Sequence, residues 1–510
     1  MDPERESEER DSDDPAVLAA MHADPREQMG QQPSSSPDKS RYQFDLLKRV
    51  VWWVVLVALF VVLIALEASS FNGMTGPVYS GDEAVWSRVA EHSLFSREFY
   101  TDIRPFTVPL IHKLANSDDS VVVRIQSWVS IFAWFSLAIA VASLFKRPIV
   151  RLGVAVFICL FSLTWPINQW DYVIRSESFN LSFLALGMAL TIGLIHNLQK
   201  GRSNNVAFVL WWAIVCLLLL FTRDSMVYTF GVLLLAFAIY FIYEWVRNGR
   251  KLPEKMPSRL LILALLAAMI GFSQWSFRNS IRWHTPLVNV ILQRIMPQQD
   301  RYEHWLEHTT FPANPTFEQY AGMFAWDIAP EGGQIRSRLE SDEKIADIQQ
   351  WLTAEGTSSY SRYLVLNAPV QSITQAFEAM SENLNLFNEG YAQGAGNVAW
   401  SAPLSRLLFP FFNAPIIIWV VTLLVGVGIV IFARGYRLLG MIICFLILNA
   451  WIQAFITFHG DAAEIPRHMM IVGVLFRLGF WLAVITVIAI IIDRLRPSSK
   501  PVATSEVVSS

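Results

Sequence analysis

A chain of 510 residues of which 53% are hydrophobic and only 16% charged is too apolar for an ordinary soluble domain of that length. Its formal net charge of −3 conceals an acidic stretch over residues 2–14 balanced by basic residues in short loops, so bulk charge gives no footprint for nucleic acid. Cys159, Cys216 and Cys444 all fall inside apolar runs and lack metal-ligand spacing, which assigns them to packing rather than to a disulfide framework.

Residues 1–45 are rich in Asp, Glu, Ser, Pro and Gln, and are expected to form a disordered tail because they cannot bury enough apolar surface to offset ordering entropy. This polar stretch before the first apolar run does not resemble a cleavable signal peptide. A bilayer core about 30 Å thick needs about 20 apolar helical residues. Runs of that kind occur at 50–68, 121–145, 152–167, 178–196, 206–221, 226–243, 260–275, 411–432, 439–458 and 469–492. The expectation is an all-α polytopic membrane protein with about ten transmembrane helices. It is organised as a tail (1–45), a membrane module (46–277), a long loop (278–410), C-terminal membrane helices (411–493) and a second tail (494–510).

Lysines and arginines in short loops resist translocation and so set orientation. Lys48 and Arg49, Lys146, Arg147 and Arg151, Lys200 and Arg202, Arg247, Arg250, Lys251 and Lys255, Arg434 and Arg437, and Arg494 and Arg496 fall on alternate connections. Both termini are therefore expected in the cytosol of a cell whose inner or plasma membrane holds the chain. The remaining connections are exterior, and two of them are long, 69–120 and 278–410. In the second, residues 343–354 and 371–386 carry apolar residues at helical spacing, while 390–397 is glycine-rich and expected to be mobile. Trp305, Phe311, Phe317, Tyr320, Phe324 and Trp326 crowd its first half, suited either to stacking on sugars or, more commonly at a membrane interface, to anchoring the fold.

Charge with chemical potential gathers on the exterior side. Asp82 and Glu83 open an amphipathic stretch followed by Asp102, Arg104, Pro105 and Pro109. Asp171, Arg175 and Glu177 precede the run at 178–196, and Arg223 and Asp224 occupy a turn too short to leave the membrane surface. The last exterior connection holds His459, Asp461, Glu464, Arg467 and His468, more titratable groups than a simple turn requires. Each has a plainer reading: carboxylates complementing a helix dipole, an Arg and Glu capping a helix, a local pair closing a hairpin, a solvated turn. Arg477 falls about 12 Å into the last run by helical rise, a costly position for a cation, and can pair with an acid or with a lipid phosphate.

The acidic pair after the first span, the proline-marked segment behind it, the sequence Arg175, Ser176, Glu177 and the Arg467, His468 pair before the last helix together resemble polytopic glycosyltransferases of the GT-C fold. The resemblance implies a sugar donor linked to a polyprenyl phosphate and an exterior glycan or lipid acceptor. It places Asp82 as catalytic base with Glu83 beside it, and Arg467 and His468 as ligands of donor phosphate or acceptor; Arg223, in a turn at the membrane surface, is placed to hold the leaving phosphate, and Arg104, Asp171, Arg175, Glu177, Asp224, His459, Asp461 and Glu464 complete the expected substrate-binding set. Glu177 departs from the aspartate common at that position in mannosyl- and aminoarabinosyl-transferases. A direct displacement would invert the anomeric centre, with arginines or a divalent cation stabilising the leaving phosphate. His459, Asp461, Glu464 and His468 are the conceivable ligands of such a cation, although familiar zinc spacing is lacking. The rival readings are a lipid-linked polysaccharide polymerase, which would show more arginine-rich exterior loops, a transporter, whose coupling residues should lie near the bilayer midplane, and a non-catalytic scaffold.

Overall fold

The computed structural model describes residues 39–71, 76–79, 81–199, 206–247, 256–384, 401–409 and 416–495. The expected tail over 1–38, the glycine-rich stretch 390–397, the end of the C-terminal tail and the basic residues Lys200, Arg202, Arg250, Lys251 and Lys255 lie outside the described residues. The chain divides into two compact units, Met1–Phe60 and Val61–Ser510. In the first, the described residues are helical from Lys39.

The long helices are α1 (Lys39–Ser70), then α2 (Glu83–Glu91) and α3 (Thr107–Leu114) in the first loop, then α4 (Asp119–Ala142), α5 (Pro148–Ser162), α6 (Ser176–Gln199), α7 (Val206–Leu220), α8 (Met226–Arg247) and α9 (Met256–Arg278). The second long loop contributes α10 (His284–Val290), α11 (Gln299–His308) and α12 (Pro369–Asn383), and the chain ends with α13 (Ile416–Phe432), α14 (Arg437–Gly460) and α15 (Met470–Leu495). Among the described residues there is no strand, only the isolated bridges Val78 with Val173 and Ile328 with Gln334. The protein is an all-α membrane protein.

Over the described residues each of the ten apolar runs is mostly helical, but the helices differ in length. Among the described residues, seven helices are long and apolar enough to cross a membrane, and an eighth crossing is formed if α5 is joined to the segment Trp165–Asp171, which turns from it by 55°. Helices α7 and α13 have 15 and 17 residues, and a 15-residue helix rises only about 22 Å. Local chemistry sets the starts: Asp118, in an extended conformation, caps α4 by accepting from the backbone N–H groups of Ser120 (2.9 Å) and Val121 (3.3 Å). Pro148 stands in the first turn of α5, where a missing N–H costs nothing.

Helix α4 packs against α5 and α6, α8 against α9 and α14, and α14 against α13 and α15. Close approach of α13 and α14 depends on two glycines. A methyl at Gly440 would meet the Gly426 carbonyl at 2.8 Å, and one at Gly426 would meet the Cys444 sulfur at 2.9 Å. Buried polar side chains tie the bundle inside: Gln126 donates to the Trp170 and Val173 carbonyls (3.0 and 2.9 Å), and Thr229 joins Asn449 (2.8 Å) and Gln453 (2.9 Å). At the face read as cytosolic, Arg147 (2.6 Å) and the Tyr436 hydroxyl (2.9 Å) both bind Asp493.

The second long loop has its own apolar core over residues 287–368. The helices expected at 343–354 and 371–386 appear as Glu343–Ile345 with Ala346–Trp351, and as α12. Trp305 is fully buried, with Tyr363 at 4.9 Å and Tyr360 and Trp351 near 6 Å between ring centroids. Phe311, Phe317 and Tyr320 are buried in the same core. These rings hold the loop domain together rather than facing sugar or lipid. Phe324 and Trp326 remain outside it as a stacked pair, 5.0 Å apart.

Candidate functional site

The first long loop is held against the segment leading to α6: the Val78 N–H donates to the Tyr172 carbonyl and the Ile174 N–H to the Val78 carbonyl, both at 3.2 Å. Gly81 follows with φ +92°, a conformation that suits a residue without a Cβ. The chain then turns through Asp82 into α2. Glu83 folds back to accept from the Gly81 N–H at 2.7 Å. Asp82 instead accepts from Arg104 at 2.5 Å, across the loop.

Helix α6 begins with Ser176 and Glu177, and the Glu177 side chain is fully buried. Arg467 donates to its carboxylate at 2.9 Å, and Arg223 stands at 3.9 Å from the same oxygen. Arg175 joins through Glu464, whose carboxylate lies 3.5 Å from Arg175 and 2.6 Å from Arg467. Arg223 and Arg467 close on opposite ring nitrogens of His468, the latter at 3.2 Å. Three segments far apart in sequence thus bring three guanidinium groups around one buried carboxylate.

The first loop meets this cluster through Arg104, which lies within electrostatic range of both His468 and Asp224. Asp224 in turn pairs with Arg282 at 3.1 Å. Burial pushes the Asp224 carboxyl above its ordinary value, while Arg282 and Arg104 pull it down. Burial also pulls the Arg223 guanidinium below its usual value; Glu177 counters this, and Arg467 and Arg175 add to it. The guanidinium groups of Arg104, Arg175, Arg223, Arg282 and Arg467 face the carboxylates of Asp82, Glu177, Asp224 and Glu464. Even with every carboxylate ionised, positive charge is in excess, a suitable setting for an anion. The start of α6 adds the positive end of a helix dipole.

Backbone strain marks the same place. Glu464 has φ +47° and ψ +39°, in the left-handed region, where a residue with a Cβ is disfavoured by about 1–2 kcal/mol. Glu464→Gly is therefore expected to leave the melting temperature in detergent unchanged or raised while weakening anion binding, because it relieves the backbone and removes the carboxylate that orders Arg175 and Arg467. A lowered melting temperature together with undiminished anion binding would contradict this.

The remaining expected site residues lie elsewhere. Asp171 is buried against Ser178, which donates to it at 2.5 Å, and against Glu67 of α1. His459 and Asp461 face the loop domain. The His459 imidazole donates to the Ser372 carbonyl (2.9 Å) and takes the Tyr360 hydroxyl at 3.4 Å on its other nitrogen, and Asp461 accepts from Asn289 (3.1 Å) and from the Ala463 N–H (3.0 Å). Burial pushes the Asp461 carboxyl up, against those hydrogen bonds. The turn 459–468 is thus divided, its first half docking the loop domain and its second half joining the arginines. Among the described residues no three His, Cys, Asp or Glu side chains are grouped to hold a metal ion, and His459, Asp461, Glu464 and His468 do not converge.

Arg477 is buried, with Nη1 donating to the Gly473 carbonyl at 3.2 Å and its guanidinium 5.1 Å from the Phe409 ring. Two residues of these networks escape a reading of the sequence. Glu67 is visible as a lone acid in an apolar run, a costly placement that marks it. Arg282 carries no local signal, since its partners Asp224 and Ser276 are defined only by packing.

No protein-family model, curated protein or solved structure matches this chain.

Proposed function

We propose that this protein is a membrane glycosyltransferase that moves a sugar from a polyprenyl-phosphate carrier to a glycan or lipid acceptor outside the cytosol, with inversion. The observation that carries the reading is the convergence of Arg175, Arg223 and Arg467 on Glu177. Arg223 belongs to the short turn between α7 and α8, so the cluster stands where a headgroup phosphate would arrive. Glu177 acts as the counter-charge that keeps three cations at close quarters before the ligand binds. The guanidinium groups then stabilise the leaving lipid phosphate through paired N–H donors.

Asp82 is the base: it takes the proton of the acceptor hydroxyl as that oxygen attacks the anomeric carbon and the bond to phosphate breaks. Arg104 fixes its orientation at 2.5 Å and links it to the cluster. Asp224, paired with Arg282, lies within electrostatic range of Arg104. Glu83, turned onto Gly81, supports the start of α2 in this scheme.

The abundance of arginine also favours a second reading, a polymerase that extends a lipid-linked polysaccharide. Both readings need the same phosphate site, and the product separates them. Purified protein in lipid nanodiscs, supplied with radiolabelled polyprenyl-phosphate sugars and acceptor-containing membranes, should yield a single-sugar addition. Arg467→Lys and Arg223→Ala should each lower that rate by about 10²–10³-fold, the usual loss for one fixed donor to developing negative charge. Chain lengthening in place of single addition would establish the polymerase, and unimpaired transfer by both variants would remove the arginine cluster from the chemistry.

A further inference from the structure

A cavity of about 810 Å³ opens on the loop domain between the start of α11 and the start of α12. Its volume falls in the range of small-molecule sites. The lining is mixed, with amides such as Gln298, Gln371 and Asn367 beside apolar surface of similar extent, and with Asp300 and Arg301 as neighbouring opposite charges. Arg301 is 7% exposed and is held from behind, donating to the Arg294 carbonyl at 3.2 Å. His304 lines the cavity as well, its ring stacked on His308 at 4.2 Å and hydrogen bonded to the Tyr363 hydroxyl at 3.2 Å. Pro369 and Val370 form an apolar edge.

This composition selects a ligand by elimination. A phosphate would want a net positive lining, and the charges here cancel. A purely apolar molecule would leave the amides of Gln298, Asn367 and Gln371 without hydrogen-bond partners. Groups that both donate and accept, set beside one ring and one small apolar edge, match a neutral molecule with many hydroxyls and an apolar ring face.

The position is as informative as the lining. Gln371 precedes Ser372, whose carbonyl accepts from His459, and Arg301 is anchored to Arg294, which donates to the Phe458 carbonyl and lies 3.9 Å from the Phe458 ring. The cavity is thus connected, through Ser372 and Arg294, to the beginning of the turn whose end carries Glu464, Arg467 and His468.

We propose that this cavity binds a neutral oligosaccharide, the part of an acceptor glycan distant from the reacting hydroxyl. The assignment to an acceptor rests on the glycosyltransferase reading, whereas saccharide binding is tested without it. The probes are neutral manno-, gluco-, galacto- and arabino-tetraoses, titrated against the full chain in nanodiscs by saturation-transfer NMR. Gln298 and Gln371 are exposed, so the double variant Gln298→Ala/Gln371→Ala should fold as the parent does, which its melting temperature checks. At least one tetraose should bind with a Kd of about 1 mM or tighter, and the double variant should lose about tenfold, as expected for two hydrogen bonds. Absence of binding by every tetraose, equal binding by a folded double variant, or displacement of the sugar by a neutral tetrapeptide would each overturn the proposal. Retained tetraose binding in a chain that transfers no sugar would instead overturn only the acceptor assignment and the transferase reading.

Discussion

Glu177→Gln should destabilise the protein by about 3–5 kcal/mol, the cost of breaking a buried ion pair and leaving its partner charges uncompensated. The carboxylate is fully buried, with Arg467 at 2.9 Å and Arg223 at 3.9 Å, so water cannot replace it without opening the cluster. Denaturant unfolding in detergent, followed by tryptophan fluorescence, measures the loss. The double variant Glu177→Gln/Arg467→Gln should recover part of it, because one of the stranded cations is gone; the non-additive remainder is the coupling energy. A single variant within about 0.5 kcal/mol of the parent, the range of an ordinary surface change, would mean that the arginines are held apart by other groups and that Glu177 is not their common counter-ion.

Asp82→Asn should have the opposite signature. Its pair with Arg104 is partly open to solvent, with side chains 24% and 37% exposed, so screening limits its contribution to stability to about 1 kcal/mol or less. Transfer should nevertheless fall by about 10²–10⁴-fold, the usual contribution of a positioned general base. Because the amide keeps the shape of the carboxylate and can still accept from Arg104, the loss should appear in kcat more than in KM for the acceptor. A rate within about twofold of the parent, in protein of unchanged melting temperature, would displace Asp82 from the role of base.

The membrane helices were legible because twenty-residue apolar runs leave few alternatives, although the bend after α5 shows that run length alone does not count crossings. Charge at the ends of those runs also pointed to Arg175, Glu177, Arg223 and Arg467, since such groups are unlike simple turn residues. Their convergence was not legible. Glu177 and Arg467 are separated by 290 positions, and no local pattern encodes a contact of that range. The same limit explains His459 and Asp461, which share a turn with Glu464 and Arg467 but point to Ser372 and Asn289. Trp305 and its neighbouring rings were ambiguous for another reason: composition alone does not distinguish rings that form a domain core from rings that meet a ligand.

The division of the turn 459–468 has a thermodynamic consequence. Its two halves are one short piece of chain: His459 donates to the Ser372 carbonyl of α12, and five residues on Glu464 sits in a strained conformation. Any molecule that binds the loop domain and favours one position of that backbone changes the affinity of the arginines for an anion by some factor, and the anion must change the affinity of the loop domain by the same factor. The two faces of this turn are thus a single equilibrium read from two sides.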